Sequence, residues 1–333
     1  MLFDYVSLAG GLVVLIIAGD ILVRGSVGVA QRLGIPNLVI GLTIVAFGTS
    51  APELVISLKA ATEGAGGIAI GNVVGSNIAN VLLVLGMPAM IAATPCGEDG
   101  ATKNAIFMFA VSIIFVILCF FSPLGLISSL ILLALLAVFL GDSALSALKH
   151  RKEKKASDFA AAKIAEEEGN EGLEDVEGVP DAMAVAGVYI VLGLIGLPLG
   201  AHFTIEGATS VAQDWGVSDA VIALTVIALG TSLPELATTV MAAVRQHGAV
   251  AIGNVIGSNI FNLVAIMGIT TAVVPVDVPA EILKFDIWVM LACAMLLLGL
   301  AARRVCLGRV SGFVLFSSYC LYIFAVYWFS PTI

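Results

Sequence analysis

Residues 11–86 align with residues 193–268 at a constant offset of 182, without a gap, and 33 of the 76 aligned positions are identical. In the core, residues 41–86 against 223–268, the identities number 23 in 46. Shared apolar composition does not produce this agreement, because Gly, Asn, Ser, Pro and Glu match in register. The chain holds one structural unit twice, so its chemistry-bearing residues come in pairs.

The unit has to sit in lipid. Of 333 residues, 60% are hydrophobic and 12% charged, about half the roughly 25% charge of a soluble domain. Apolar runs long enough to cross about 30 Å of hydrocarbon recur along the chain. Ten candidate spans lie at roughly 5–30, 37–62, 68–93, 104–121, 125–147, 183–211, 219–244, 250–273, 285–302 and 311–329. Each copy then holds five, and an odd number makes the second copy enter the membrane from the opposite side. The expected fold is an all-α membrane protein of ten transmembrane helices in two inverted five-helix repeats with broken core helices. Any site is expected at the repeat interface near the midplane. Residues 1–147 form the first repeat, 148–181 a polar loop and 182–333 the second repeat. The N-terminus lacks a basic n-region and a small-residue cleavage signature, so the first apolar run reads as a spanning helix.

The polar loop begins KHRKEKKASDFAAAKIAEEE, whose Ala-rich first half suits a helix; from Gly169 its composition is that of a linker. Ten of the 24 acidic residues lie between Glu153 and Asp181, so the formal charge of −9 is a local feature. The run Glu166–Glu177 lacks the alternating ligands and central Gly of a calcium-binding EF-hand loop and reads as a solvated connector. Lys149, Arg151, Lys152, Lys154, Lys155 and Lys163 fall in this loop. Placing it in the cytoplasm puts Arg32, Lys103, Arg245, Arg303, Arg304 and Arg309 inside as well, and leaves Lys59 and Lys284 outside. The expectation is a multi-pass protein of the plasma membrane with both termini extracellular or periplasmic. Five cysteines without a CxxC read as free thiols in helix packing.

The first core segment reads GLTIVAFGTSAPELVIS and its partner ALTVIALGTSLPELATT. Pro52 and Pro234 lack an N–H and clash with the carbonyls of Gly48 and Gly230, so the helix is expected to open and free carbonyls at Ala46–Gly48 and Ala228–Gly230. In lipid such carbonyls need a partner, and a cation is one. On a helix, Ala46, Thr49, Ser50 and Glu53 share about a third of the circumference, as do Ala228, Thr231, Ser232 and Glu235. The second core segment, GNVVGSNIANVLLVLG, is matched by GNVIGSNIFNLVAIMG. It places Ser76 with Asn80 and Ser258 with Asn262 on common faces. Gly71, Gly75, Gly253 and Gly257 permit close helix approach. A single such pattern is ordinarily packing, and a lone membrane Ser or Thr bonds its own backbone. A mid-membrane Glu is different, because its burial is costly unless it works. Here two occur at equivalent positions, each beside a Pro and a Thr-Ser pair. Carboxylate, carbonyl, hydroxyl and amide oxygens are hard ligands for Na⁺ and Ca²⁺, and no His or Cys joins them.

GTSxPE followed by GNxxGSNxxN, present twice, resembles the paired alpha-repeats of the sodium/calcium exchanger branch of the cation/Ca²⁺ antiporters over essentially the whole chain. The resemblance implies ion coordination by Thr49, Ser50, Glu53, Ser76, Asn80, Thr231, Ser232, Glu235, Ser258 and Asn262, with backbone oxygens of Ala46 and Ala228. It also implies that the first and sixth helices slide as a pair against the other eight. Cation/proton exchangers of the superfamily typically carry Asn where Thr49-Ser50 and Thr231-Ser232 stand, so Na⁺ is the expected counter-ion. Several prokaryotic and the potassium-dependent exchangers have Asp at the position of Asn262, and Asn here argues against K⁺ cotransport.

The expected activity is secondary antiport of Na⁺ against Ca²⁺, electrogenic and K⁺-independent. No cofactor, enzymatic activity, nucleic acid or obligate protein partner is implied. The alternatives are a H⁺/Ca²⁺ exchanger, or a cation channel, which repeats inverted within one chain disfavour. Asp20 with Arg24, and the equivalent His202 with Glu206, read as intrahelical ion pairs. Asp142 has no second Asp at the matching repeat position, which argues against an aspartyl protease.

Overall fold

The computed structural model describes residues 2–168, 180, 182–216 and 228–329, with the backbone alone for 155–168, Ala228 and Phe329. Its helices are α1 Leu2–Leu33, α2 Asn37–Thr49, α3 Ala51–Thr62, α4 Gly66–Ile91, α5 Ala101–Cys119 and α6 Leu126–Glu168. They continue as α7 Met183–Asp214, α8 Leu233–Val244, α9 Gly248–Val273, α10 Ile282–Ala302 and α11 Arg309–Phe329, with a single turn at Ala228–Gly230 before α8.

Among the described residues eight helices are long and apolar enough to cross a membrane, or nine when α2 and α3 count as one span bent by 43°. The chain is an all-α membrane protein that crosses the bilayer repeatedly. The expected seventh span, 219–244, begins outside the described residues, and of it only the part from 228 onward is seen. The Ala-rich start of the polar loop continues α6 as helix to Glu168. The linker expected from Gly169 lies outside the described residues.

Burial ranks the helices. The most apolar window of α9 is 100% buried and that of α4 78%, against 17–39% for the other six long helices. The two GNxxGSNxxN helices therefore form the centre, and their neighbours turn apolar faces to lipid. A second, smaller core lies between α1 and α7, centred on Leu15, Leu22, Val23 and Leu197. Those two helices pack almost backbone to backbone. A methyl group at Gly25 would stand 2.7 Å from the Ala186 carbonyl oxygen, and one at Gly200 would stand 2.8 Å from the Leu15 nitrogen. Gly25 is repeated as Gly207, so both copies supply the small residues this crossing needs.

Helix ends follow local chemistry. Gly34 adopts φ +65°, which lets the Ile35 N–H reach back to the Ala30 carbonyl at 3.0 Å, and Pro36 then ends the run. Loops whose backbone is buried find sheet-like partners that the all-α expectation did not include. The strands β1 Thr94–Pro95 and β2 Cys306–Leu307 pair antiparallel, and Leu124 bridges Val276. Buried N–H and C=O groups need partners, and two short loops provide them for each other. All five cysteines are free; Cys96, Cys119 and Cys293 are buried as expected, whereas Cys306 and Cys320 are exposed. Asp142 is held by Lys103 at 2.6 Å, an ion pair in place of a catalytic dyad.

Candidate functional site

Both helix breaks form where the prolines place them. α2 ends at Thr49, Ser50 takes φ −85° and ψ 3°, and α3 restarts with Pro52 in its first turn. Ser232 repeats that geometry, φ −85° and ψ 2°, ahead of Pro234 in α8. Glu53 and Glu235 therefore stand in the first turns of α3 and α8, where the helix dipole favours an anionic group. They are 1% and 0% exposed.

The opening is not identical in the two arms. In the first, the Ala46 carbonyl keeps its α-helical bond, accepting from the Ser50 N–H at 3.0 Å, and also accepts from Thr49 Oγ1 at 3.3 Å. In the second, the Ser232 N–H turns to Leu229 at 3.1 Å instead of to Ala228. The expectation of freed carbonyls at equivalent positions thus fails at Ala46, because the chain there tightens only after the carbonyl has found its donor.

Side chains of the two copies interlock. Ser50 Oγ donates to Glu235 Oε1 at 2.9 Å, and Thr49 Oγ1 lies 3.3 Å from Asn254 Oδ1. Asn80 Nδ2 donates to Asn259 Oδ1 at 3.2 Å, and Asn262 Nδ2 to Asn77 Oδ1 at 3.0 Å. Ser76, Thr231, Ser232 and Ser258 are buried beside these groups but share none of the bonds just described. Asn80 and Asn262 each open a π-helical turn, Asn80–Val84 and Asn262–Ile266, a widening common at functional positions.

Four asparagines outside the expected ligand set turn out to build its frame. Asn72 Nδ2 holds the Glu53 carbonyl at 3.3 Å and Ser57 Oγ at 2.9 Å. Its repeat partner Asn254 holds the Glu235 carbonyl at 3.4 Å and Thr239 Oγ1 at 3.0 Å. Asn77 and Asn259 complete the set. The signal that finds them is identity in both copies at polar positions of an otherwise apolar helix.

The chemistry lies in what remains unbonded. Among the described residues eight buried side-chain polar atoms lack a hydrogen-bond partner. Six are Glu53 Oε2, Asn80 Oδ1, Ser232 Oγ, Glu235 Oε2, Ser258 Oγ and Asn262 Oδ1, all from the expected set; the others are Ser26 Oγ and Thr270 Oγ1. A buried polar atom left unpaired costs about 1–3 kcal/mol. Six from one expected ligand set are thus left to accept or coordinate, and oxygens alone suit a hard cation. No three His, Cys, Asp or Glu side chains cluster among the described residues, so the set relies on two carboxylates plus neutral oxygens.

The family model described as "Sodium/calcium exchanger protein" matches residues 3–142 and 185–328. Inner membrane protein YrbG of Escherichia coli is 30% identical over 332 residues, covering 99% of each chain. Sodium/calcium exchanger MaX1 of Methanosarcina acetivorans is 31% identical over 345 residues, 98% of this chain and 99% of that one. Among solved structures, the sodium-calcium exchanger NCX_Mj soaked with 2.5 mM Na⁺ and 0.1 mM Ca²⁺ is similar with a TM-score of 0.80. That match has 27% identity over 98% of this chain and 99% of the other.

Proposed function

This chain belongs to the sodium/calcium exchanger family, and from that premise we propose that it exchanges Na⁺ for Ca²⁺ by alternating access. Membership makes it a membrane-embedded cation/Ca²⁺ antiporter. The carrying observation is that six oxygens of the proposed ligand set, one each on Glu53 and Glu235 among them, are buried without a partner among the described residues. The counter-ion rests on Thr49-Ser50 and Thr231-Ser232 ahead of the two glutamates, and on the description of MaX1 as a sodium/calcium exchanger. Proposed ligands are the side chains of Thr49, Ser50, Glu53, Ser76, Asn80, Thr231, Ser232, Glu235, Ser258 and Asn262, with the carbonyl of Ala228 and that of Ala46 once the Thr49 hydroxyl turns from it to the ion.

Charge supplies the coupling. Two ionised carboxylates leave −2 in a low-dielectric site, so the carrier without ions crosses with difficulty. One Ca²⁺ or two Na⁺ cancel that charge, and any further Na⁺ makes the cycle electrogenic. Asn262 in place of a third carboxylate supports K⁺-independence. The reading carries with it ten helices in two inverted repeats, residues 1–147 and 182–333, joined by a cytoplasmic loop 148–181 with both termini outside. In proteoliposomes, an outward Na⁺ gradient is expected to drive ⁴⁵Ca²⁺ uptake, unaffected by K⁺, and a proton gradient alone is not. Robust uptake on a pH gradient without Na⁺ would overturn the counter-ion assignment.

The two copies are latched differently, which supports alternation. Asp20 on α1 accepts from Arg245 just past α8, and Arg24 lies 3.7 Å away on the same helix. The repeat equivalents of Asp20 and Arg245 are His202 and Glu63, a pair with the signs exchanged. These instead face their own helices, His202 with Glu206 at 3.7 Å and Glu63 with Lys59 at 4.0 Å. α1 covers α8 so closely that Thr238 is 0% exposed, while its equivalent Ile56 on α3 is 38% exposed. In the proposed cycle α1 and α7 slide together, releasing Asp20 from Arg245 and bringing His202 to Glu63. Arg245→Ala leaves Asp20 neutralised by Arg24, so it is expected to shift the equilibrium rather than unfold the protein. Thiol labelling of Thr238→Cys, in a background without native cysteines, should rise in Arg245→Ala, and labelling of Ile56→Cys should fall. Identical labelling at both positions would remove the latch from the cycle.

A further inference from the structure

The geometry points to Asn77 and Asn259 as positioning residues that hold the site amides of the opposite repeat with oxygen, not nitrogen, toward the ions. The inference rests on the exchanger reading above and adds to it two residues that do not touch the ions themselves.

A primary amide has two ends of nearly equal size, and only its oxygen can ligate a cation, because the NH₂ end is a donor. Asn80 and Asn262 are 1% and 0% exposed, so water does not decide which end faces inward. The structure decides it by engaging the nitrogens. Asn80 Nδ2 donates to Asn259 Oδ1 at 3.2 Å and Asn262 Nδ2 to Asn77 Oδ1 at 3.0 Å, and both site oxygens remain buried without a partner among the described residues.

The outer amides are fixed in turn. Asn77 Nδ2 is drawn the other way, to the Asn259 carbonyl at 3.3 Å and to Met290 Sδ at 3.8 Å. Asn259 Nδ2 faces Met108 Sδ at 3.6 Å. Met108 and Met290 are also 182 residues apart, so the relay of thioether, outer amide and site amide is built twice. Turning Asn77 around would set its NH₂ against that of Asn262 and its oxygen against a carbonyl and a sulfur. A thioether accepts weakly and is too soft to compete for Na⁺ or Ca²⁺, so it steadies the outer amide without becoming a ligand. Each repeat holds the other's amide, which ties a correctly oriented site to docking of the two copies.

The test uses Asn77→Leu and Asn259→Leu, which remove the acceptor at similar volume. The half-saturating Ca²⁺ concentration should rise about tenfold in each, the worth of roughly one hydrogen bond to a cation ligand, while the maximal rate of exchange stays near that of the wild type. With ¹³C-labelled asparagine, Ca²⁺ should shift side-chain carbonyl infrared bands in the wild type. The Asn262 share of that change should vanish in Asn77→Leu and return in Asn77→Asp, which restores the acceptor. Met290→Leu, a milder change that removes one of the two acceptors of the Asn77 nitrogen, should move both readouts in the same direction by less. A wild-type half-saturation together with an intact infrared change in the Leu variants would overturn the proposal. So would a loss that Asn77→Asp does not restore, since that marks a purely structural role. A wild type whose infrared bands respond to Ca²⁺ but which fails to transport on a Na⁺ gradient would sink the counter-ion reading and leave this one standing.

Discussion

Glu53→Gln or Glu235→Gln is expected to abolish Ca²⁺ transport, with a loss of at least about a hundredfold, because removing one partner from a buried charge pairing costs about 3–5 kcal/mol. Both carboxylates are buried, and each leaves one oxygen unpaired among the described residues. With Gln at either position the site carries −1 and cannot neutralise a divalent ion in low dielectric. The amide oxygen of a Gln at position 235 can still accept from Ser50, so the contact between the two copies survives. Its NH₂ end then faces the cations as a donor. Folding should persist, since neutralising a buried acid relieves its desolvation. The measurement is ⁴⁵Ca²⁺ uptake by variants that elute as monodisperse protein; near-normal flux in either single variant would remove that glutamate from the ligand set.

Gly257→Val is expected to be nearly as damaging although it touches no charge. α9 lies so close to α2 that a methyl group at Gly257 would stand 2.6 Å from Ala46 Cβ, and at Gly253 2.7 Å from the Leu38 carbonyl oxygen. Real carbon atoms do not approach to 2.6 Å, so the helices must part. Overpacking a core costs about 1–3 kcal/mol, and here the displaced neighbour is one turn from Thr49, whose hydroxyl meets Asn254. Ca²⁺ uptake should fall by more than about tenfold, the equivalent of 1.4 kcal/mol, and the unfolding temperature should drop. Gly299→Ala is the control: nothing lies within 4 Å of that position, and Ala in a helix interior is favoured by up to about 1 kcal/mol. It should keep transport and raise thermal stability. Normal uptake and stability in Gly257→Val would show that the close approach of α2 and α9 is not required.

The duplicated sequence by itself determined what each copy contains. Pro52 and Pro234 set the helix breaks, since a missing N–H acts wherever it stands. The Glu, Ser and Asn residues marked by their match across the offset are buried as polar groups in lipid must be. The match of Gly25 with Gly207 supplied small residues that the crossing of α1 and α7 uses. What the residues shared by the two copies cannot specify is how differently the copies pack, because local rules act equally on matched positions. Only the tertiary packing decided that α1 covers Thr238 and leaves Ile56 exposed, and that Asp20 reaches Arg245 while His202 stays with Glu206. It likewise decided that Ser232 turns to Leu229 where Ser50 keeps Ala46. Cross-copy contacts were hidden for a related reason. Ser50 with Glu235, and the asparagines holding one another's amides, join residues 179–185 positions apart, a separation that helix periodicity does not reach. Gln246 shows the same limit in the backbone. It takes φ +60° at the end of α8, where the first copy has Gly64 at φ +80°. Closing that helix end with the His247 N–H on the Ala242 carbonyl at 2.8 Å holds a left-handed conformation that glutamine does not favour alone.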